Sequence, residues 1–130
     1  MKIFIVDAFT DQPFAGNPAA VCLLDKAIDD GLMLNIAREM NLSETAFVLP
    51  ASADGSFHLR WFTPTEEVDL CGHATLATAK VMYENNIVEK QNDIAFHTLS
   101  GILTARAVGD KIALNFPSKK ITPSVTDDII

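Results

Sequence analysis

No run of basic residues occurs anywhere in the chain. Lys119-Lys120 is the largest cluster, and the formal net charge is −7. Such a surface repels phosphate rather than gathering it, which argues against non-specific nucleic-acid binding. Trp61 and the eight phenylalanines are core material and do not form a stacking platform among basic residues, so single-stranded nucleic acid is not indicated either. Cysteine is scarce. Cys22 and Cys71 lie far apart, with no CxxC or Cys/His ligand spacing, so structural zinc is not expected and nothing suggests another metal. A disulfide between them would be unusual in a reducing compartment. Rossmann and P-loop glycine patterns are missing, so no nucleotide cofactor is implied. The N-terminal MKIFIVDAF has too short an apolar run for a signal peptide and contains Asp7, which makes the cytoplasm the expected location. No internal repeat occurs.

What is present is the composition of a soluble globular domain: 48% hydrophobic and 21% charged residues over 130 positions, enough to bury a proper core. The chain is organised around Trp61–Asn86, read as a strand, a polar turn and a long helix opening at Cys71-Gly72-His73. From Gly72 to Tyr83 small or apolar residues (Ala74, Leu76, Ala77, Ala79, Val81, Met82) occupy several sides of the helix, and only Lys80 is charged. A helix apolar nearly all round is a buried one, and this one is too short and too polar to span a membrane. Around it the chain reads as short strands, which suggests a sheet curled about a central helix whose N-terminus stays open.

In chain order, Lys2–Phe9 reads as a strand, nearly continuous in apolar residues and therefore expected to be buried on both faces. Residues 10–18, TDQPFAGNP, form a structured loop. Ala19–Leu24 is a second strand. Asp29 or Asp30 caps a helix running to about Asn41, with Leu32, Met33, Ile36, Ala37 and Met40 as its apolar side. Leu42-Ser43-Glu44 is the exit from that helix, and Thr45–Leu49 a strand ended by Pro50. Residues 52–55 are a turn. Ser56–Phe62 alternates, with Phe57, Leu59 and Trp61 on one face and His58 and Arg60 on the other. Asn85-Asn86 caps the central helix, and strands follow at Ile94–Thr98, Ile102–Val108 and Lys111–Phe116, joined by turns at 99–101 and 109–110. Residues 1–117 are thus read as one α+β domain with a mixed, largely antiparallel sheet. Ser118–Asp128 is polar and aperiodic, and residues 118–130 read as a linker or the start of a missing second domain.

Three separated segments, DAFTDQPFAGNPAAV (7–21), REMNLSETAFV (38–48) and WFTPTEEVDLCGHATLATA (61–79), resemble the PhzF-like, or phenazine biosynthesis-like, isomerases, whose fold is related to diaminopimelate epimerase. The resemblance covers essentially the whole chain. It implies a sheet curled as a barrel around a central helix, and a cofactor-independent isomerase that shifts a proton on a small carboxylate-bearing metabolite. Members are about twice this length, with two similar domains and one site in the cleft between them. The resemblance therefore implies the N-terminal half of an enzyme, needing a C-terminal domain or second subunit. A homodimer placing two Glu44 side chains across one cleft is the middle possibility.

Glu44 is the candidate general acid/base. By position alone it could be a solvated loop glutamate, although a carboxylate in apolar surroundings is suited to taking up and returning a proton near neutral pH. The resemblance implies the catalytic role. Gly72 lets a ligand approach the backbone, and the N–H groups at a helix start suit an anion. A Gly-His pair there is otherwise an ordinary cap. By resemblance His73 contacts and orients the substrate, Gly72 and Ala74 complete the carboxylate cradle, and Cys71 lines the site, although in the related epimerases and racemases a cysteine at the head of this helix is a proton-transfer base. Asn17 in FAGNP resembles the family's loop over the pocket, or is simply part of a turn fixed by Gly16 and Pro18. Asp7 and Arg60, charged residues on apolar strands, are either a structural pair or exposed strand ends. His58 and His97 face outward. Two other readings stand beside the enzyme: an isolated domain with no activity alone, and a module that binds small carboxylates without catalysis.

Overall fold

The computed structural model describes residues 1–7, 18–51, 55–109 and 111–115. Within them one sheet runs in the order β1-β2-β3-β4-β6-β7-β8, made of β1 (Lys2–Asp7), β2 (Pro18–Leu23), β3 (Glu44–Pro50), β4 (Phe57–Phe62), β6 (Ile94–Thr98), β7 (Gly101–Val108) and β8 (Lys111–Asn115). The two-residue strand β5 (Glu67–Val68) pairs off this path with β4. The pairs β2–β3 and β4–β6 are parallel and the others antiparallel. Each parallel pair is bridged by a connection containing a helix, as parallel neighbours require. Helix α1 (Asp30–Met40) links β2 to β3, and α2 (Gly72–Glu84) lies between β4 and β6.

The two helices sit on opposite faces of the sheet, and the alternation of side chains along the strands fixes which residue meets which helix. Ala19, Val21, Ala46, Val48, Leu59, Trp61, Phe96, Leu103 and Leu114 point inward and pack with α2. Cys22, Phe47 and Phe62 point outward and pack under Met33 and Ala37 of α1. Strands β1, β2, β3 and β8 all contact α2, so the sheet wraps it from edge to edge as a half-barrel. Nine of the 13 residues of α2 are buried. Its two buried threonines satisfy their hydroxyls within the helix, Thr75 donating to the Cys71 carbonyl and Thr78 to that of Ala74, both at 2.7 Å. The α+β fold expected from the apolar helix is the fold observed.

Three local expectations are corrected. Strand β1 is a sheet edge among the described residues, and its outer face is open: Ile3 is 45% and Ile5 63% exposed. A continuous apolar run does not distinguish a central strand from an edge one. On α1, Leu32 is exposed and Leu34 packs against the outer cluster instead, because the helix meets the sheet through Met33 and Ala37. Glu44 is the first residue of β3 rather than part of the helix exit. Residues 118–130 and the turn at 52–54 lie outside the described residues. No helix among the described residues is long and apolar enough to cross a membrane.

Helix α1 is capped at its start as the sequence predicts, and the structure adds a C-cap at Asn41. The Asp29 side chain accepts from the Leu32 N–H at 3.1 Å, and Asn41, with φ of 54°, donates its N–H to the Ala37 carbonyl. Replacing the cap by Asp29→Ala is expected to cost about 1 kcal/mol in urea unfolding. An unchanged midpoint would show that tertiary packing alone holds the start of α1.

Candidate active site

The register of the sheet gathers the candidate residues at one end of the half-barrel. Asp7, the last residue of β1, stands opposite Pro18, and the next residue of β2, Ala19, stands opposite Glu44. Glu44 shares its strand face with Ala46 and Val48, so it points to the α2 side of the sheet. Helix α2 starts at that same end. Its N-cap, Cys71, is extended (φ −152°, ψ 101°) and makes no side-chain capping hydrogen bond, and its first turn carries no acidic residue. The first-turn N–H groups have no acceptor inside the helix by geometry, so the helix presents a partial positive charge toward Glu44.

The structure brings Glu44, Cys71 and His73 together, with Gly72 and Ala74 in the same first turn. One carboxylate oxygen of Glu44, Oε1, is buried without a hydrogen-bond partner among the described residues. Burial pushes the Cys71 thiol up to about 11, with the neighbouring Glu44 carboxylate adding to the rise; the backbone N–H groups of Ala74 and His73 only partly oppose it. Cys71 is therefore held as a thiol near neutral pH. Burial also holds His73 below its usual value, against the opposing pull of Glu44, the Pro18 carbonyl and Asp7. The imidazole is thus neutral near pH 7. Because the unfolded chain takes up that proton first, this contribution to stability is full above about pH 6.5 and is lost as the pH falls below it.

Asp7 is the residue that sequence reasoning left undecided. It does not pair with Arg60. The Arg60 guanidinium grips Glu67 through Nε and Nη2 at 2.8 and 2.7 Å and reaches Asp30 through Nη1 at 2.8 Å, all on the outer face of the sheet. Asp7 instead acts on His73 and keeps Oδ1 buried without a partner among the described residues. A lone carboxylate ending an apolar strand was the available signal. Asn17 lies outside the described residues. Among those described, no group of three or more His, Cys, Asp or Glu side chains is set to hold a metal ion.

Both thiols add an alkaline signature. Cys22, buried in the outer cluster, is pushed up to about 12, and Cys71 to about 11, from an ordinary value of 9.0. A raised folded value means stability that is complete below about pH 9 and is lost as the pH climbs through 11 and 12. Between pH 8 and pH 10 the two thiols together are expected to remove about 2–3 kcal/mol from the unfolding free energy. The Cys22→Ala/Cys71→Ala chain should lose correspondingly less over the same interval in urea titrations. Equal losses in both chains would contradict the burial of the thiols.

The phenazine biosynthesis-like protein family (PhzC-PhzF) matches residues 6–127. A protein named as an uncharacterized isomerase from Halalkalibacterium halodurans is 56% identical over 118 residues, which is 91% of this chain and 44% of that protein. The crystal structure of a PhzF-family phenazine biosynthesis protein from Enterococcus faecalis superposes with a TM-score of 0.79 at 46% identity, covering 86% of this chain and 42% of its own. A hydroxyproline epimerase from Agrobacterium vitis, solved with bound trans-4-hydroxy-L-proline, superposes with a TM-score of 0.65 over 86% of this chain and 40% of its own; at 11% identity it shares the fold alone. The chain spans about half the length of the curated relatives it matches. Its three sequence segments, its half-barrel and the family match over residues 6–127 agree: the chain belongs to the PhzC-PhzF, phenazine biosynthesis-like family.

Proposed function

We propose that this chain supplies one face of the active site of a cofactor-independent isomerase, which moves a proton between positions of a small carboxylate-bearing metabolite. The observation that carries this reading is the meeting of the Glu44 carboxylate, one oxygen of it buried and unpartnered among the described residues, with the N-terminus of α2, whose first turn holds no acidic residue. Glu44 removes a proton from carbon and redelivers it elsewhere on the same molecule. The first-turn N–H groups at Gly72, His73 and Ala74 hold the substrate carboxylate and steady negative charge as it develops. His73, a neutral imidazole at pH 7, orients the substrate through a hydrogen bond, and Cys71 packs beside it as a thiol.

The second face comes from outside these 130 residues, from a domain that matches the remaining length of the family relatives. Without it the cleft is open to water, which weakens every electrostatic contact to the substrate. Support for an isomerase comes from the names of relatives such as the Halalkalibacterium protein. The test joins this chain to the second half of that relative and follows exchange of substrate C–H for solvent deuterium by NMR, over a panel of small carboxylic acids with an acidic C–H. Exchange with no nucleotide or metal added is expected. Exchange that appears only when one of these is supplied would overturn the cofactor-independent reading.

A further inference from the structure

The outer face of the sheet holds a cavity of about 350 Å³ between α1 and the turn after β6. It is separate from the Glu44 site. Its walls include Phe47 and Leu49, which point to the α1 side of β3, whereas Glu44 points to the α2 side. Leu49 also lies five residues along the strand from Glu44, roughly 16 Å away. None of Glu44, Cys71, Gly72 or His73 lines it.

Sheet geometry creates the space. Strands β4 and β6 pair through only two residue couples, Phe57 with Phe96 and His58 with His97. Farther along, β4 pairs with β5 at Trp61 and Phe62, and α1 packs over β3 and β4. The gap is bounded by Ile28 on the approach to α1 and by Leu99, which is 66% exposed at the rim. On its floor His58 and His97 stand side by side with ring centroids 5.7 Å apart, and His97 Nε2 lies 3.0 Å from Ser56 Oγ.

These walls define a ligand. The volume is at the small end of the range for binding pockets, and the lining is mostly apolar with a few convergent polar groups, which is the usual make-up of such sites. Among the described residues of the lining the one cation, Arg60, has its charge satisfied by Glu67 and Asp30, and the chain as a whole carries −7. A carboxylate or phosphate is therefore poorly served. Imidazole ring nitrogens donate or accept according to tautomer, which matches a hydroxyl group that does both. We propose that the cavity is a second binding site, for a small uncharged aromatic or alicyclic alcohol whose ring lies against Ile28, Leu49 and Leu99 and whose hydroxyl meets His58 and His97.

The probe is 2-naphthol, added to the 130-residue chain and followed by NMR at the three histidines and at Leu99. Saturable shifts at His58, His97 and Leu99, with His73 unmoved, are expected. Leu49→Trp fills the cavity from the strand and should weaken binding at least about tenfold. Ile28→Trp fills the same space from the loop, where a strand substitution that disturbed folding would have no counterpart, and should do likewise. The anion 2-naphthoate should bind at least about tenfold more weakly than the alcohol. Shifts confined to His73, equal or tighter binding of the naphthoate, or undiminished binding by two folded Trp variants would overturn the proposal.

Discussion

Glu44→Gln is expected to cut isomerisation at least about 100-fold while leaving substrate binding in place. The substitution keeps the side chain's shape at the start of β3, so the strand register with Ala19 and Thr45's pairing with Phe62 are undisturbed. What it removes is the group that can accept and return a proton. An amide in that position leaves the α2 N-terminus and His73 able to hold a carboxylate, but takes away the proton carrier proposed for the reaction. In the chain completed by its second half, kcat should fall by about 100- to 10,000-fold, the range typical of a positioned general acid/base, with KM changed by less than about threefold. The measurement is steady-state turnover together with ligand titration of both proteins. Retained turnover would assign the proton transfer elsewhere. Loss of binding along with turnover would instead make Glu44 part of the substrate cradle. If binding alone exists in both proteins and turnover in neither, the chain is a carboxylate-binding module.

Trp61→Ala has the largest expected effect on stability. Trp61 is 1% exposed on the inner face of β4, opposite Ala46 and against α2. Truncating it removes the largest fully buried side chain of the core and leaves a cavity where α2 meets the sheet. A loss of about 3–5 kcal/mol is expected, a fall in Tm on the order of 10–20 °C. The indole N–H has no hydrogen-bond partner among the described residues, so Trp61→Phe gives up volume but no hydrogen bond to them. It should cost less than half as much as the alanine change. Calorimetry on both variants checks the contrast; equal losses would mean that the indole nitrogen matters in a way the packing does not account for. The same packing bears on function, since α2 must be held against β3 for its first turn to face Glu44.

The central features of the fold were legible because they are coded locally and redundantly. Helix α2 is apolar on several sides, which only a buried helix can be, and α1 carries its own N-cap in Asp29. Strands with alternating faces, such as β4, announced which side chains meet α2. Edges were not legible. The run Ile3–Val6 is apolar at every position, yet half of it faces outward, because edge placement depends on partners distant in sequence. The two-residue β5 is too short to carry a period, and its Glu67 binds Arg60 of β4, a partner the sequence pattern does not announce. At the site, Glu44 and Cys71-Gly72-His73 stood out through motifs. Asp7 did not, since only the pairing of β1 with Pro18 brings it to His73. The outer cavity was hidden for the same reason: His58 and His97 lie 39 positions apart and become neighbours only through a parallel pairing of two residue couples.

The most direct test of the half-site account compares turnover by the 130-residue chain alone with turnover by the same chain joined to a relative's second half, on any acid the joined protein isomerises. The account predicts activity in the joined protein, a fall of at least about 100-fold on Glu44→Gln, and none above background in the chain alone. Comparable Glu44-dependent turnover by the chain alone would contradict it, because a complete site would then exist within these 130 residues or between two copies of them.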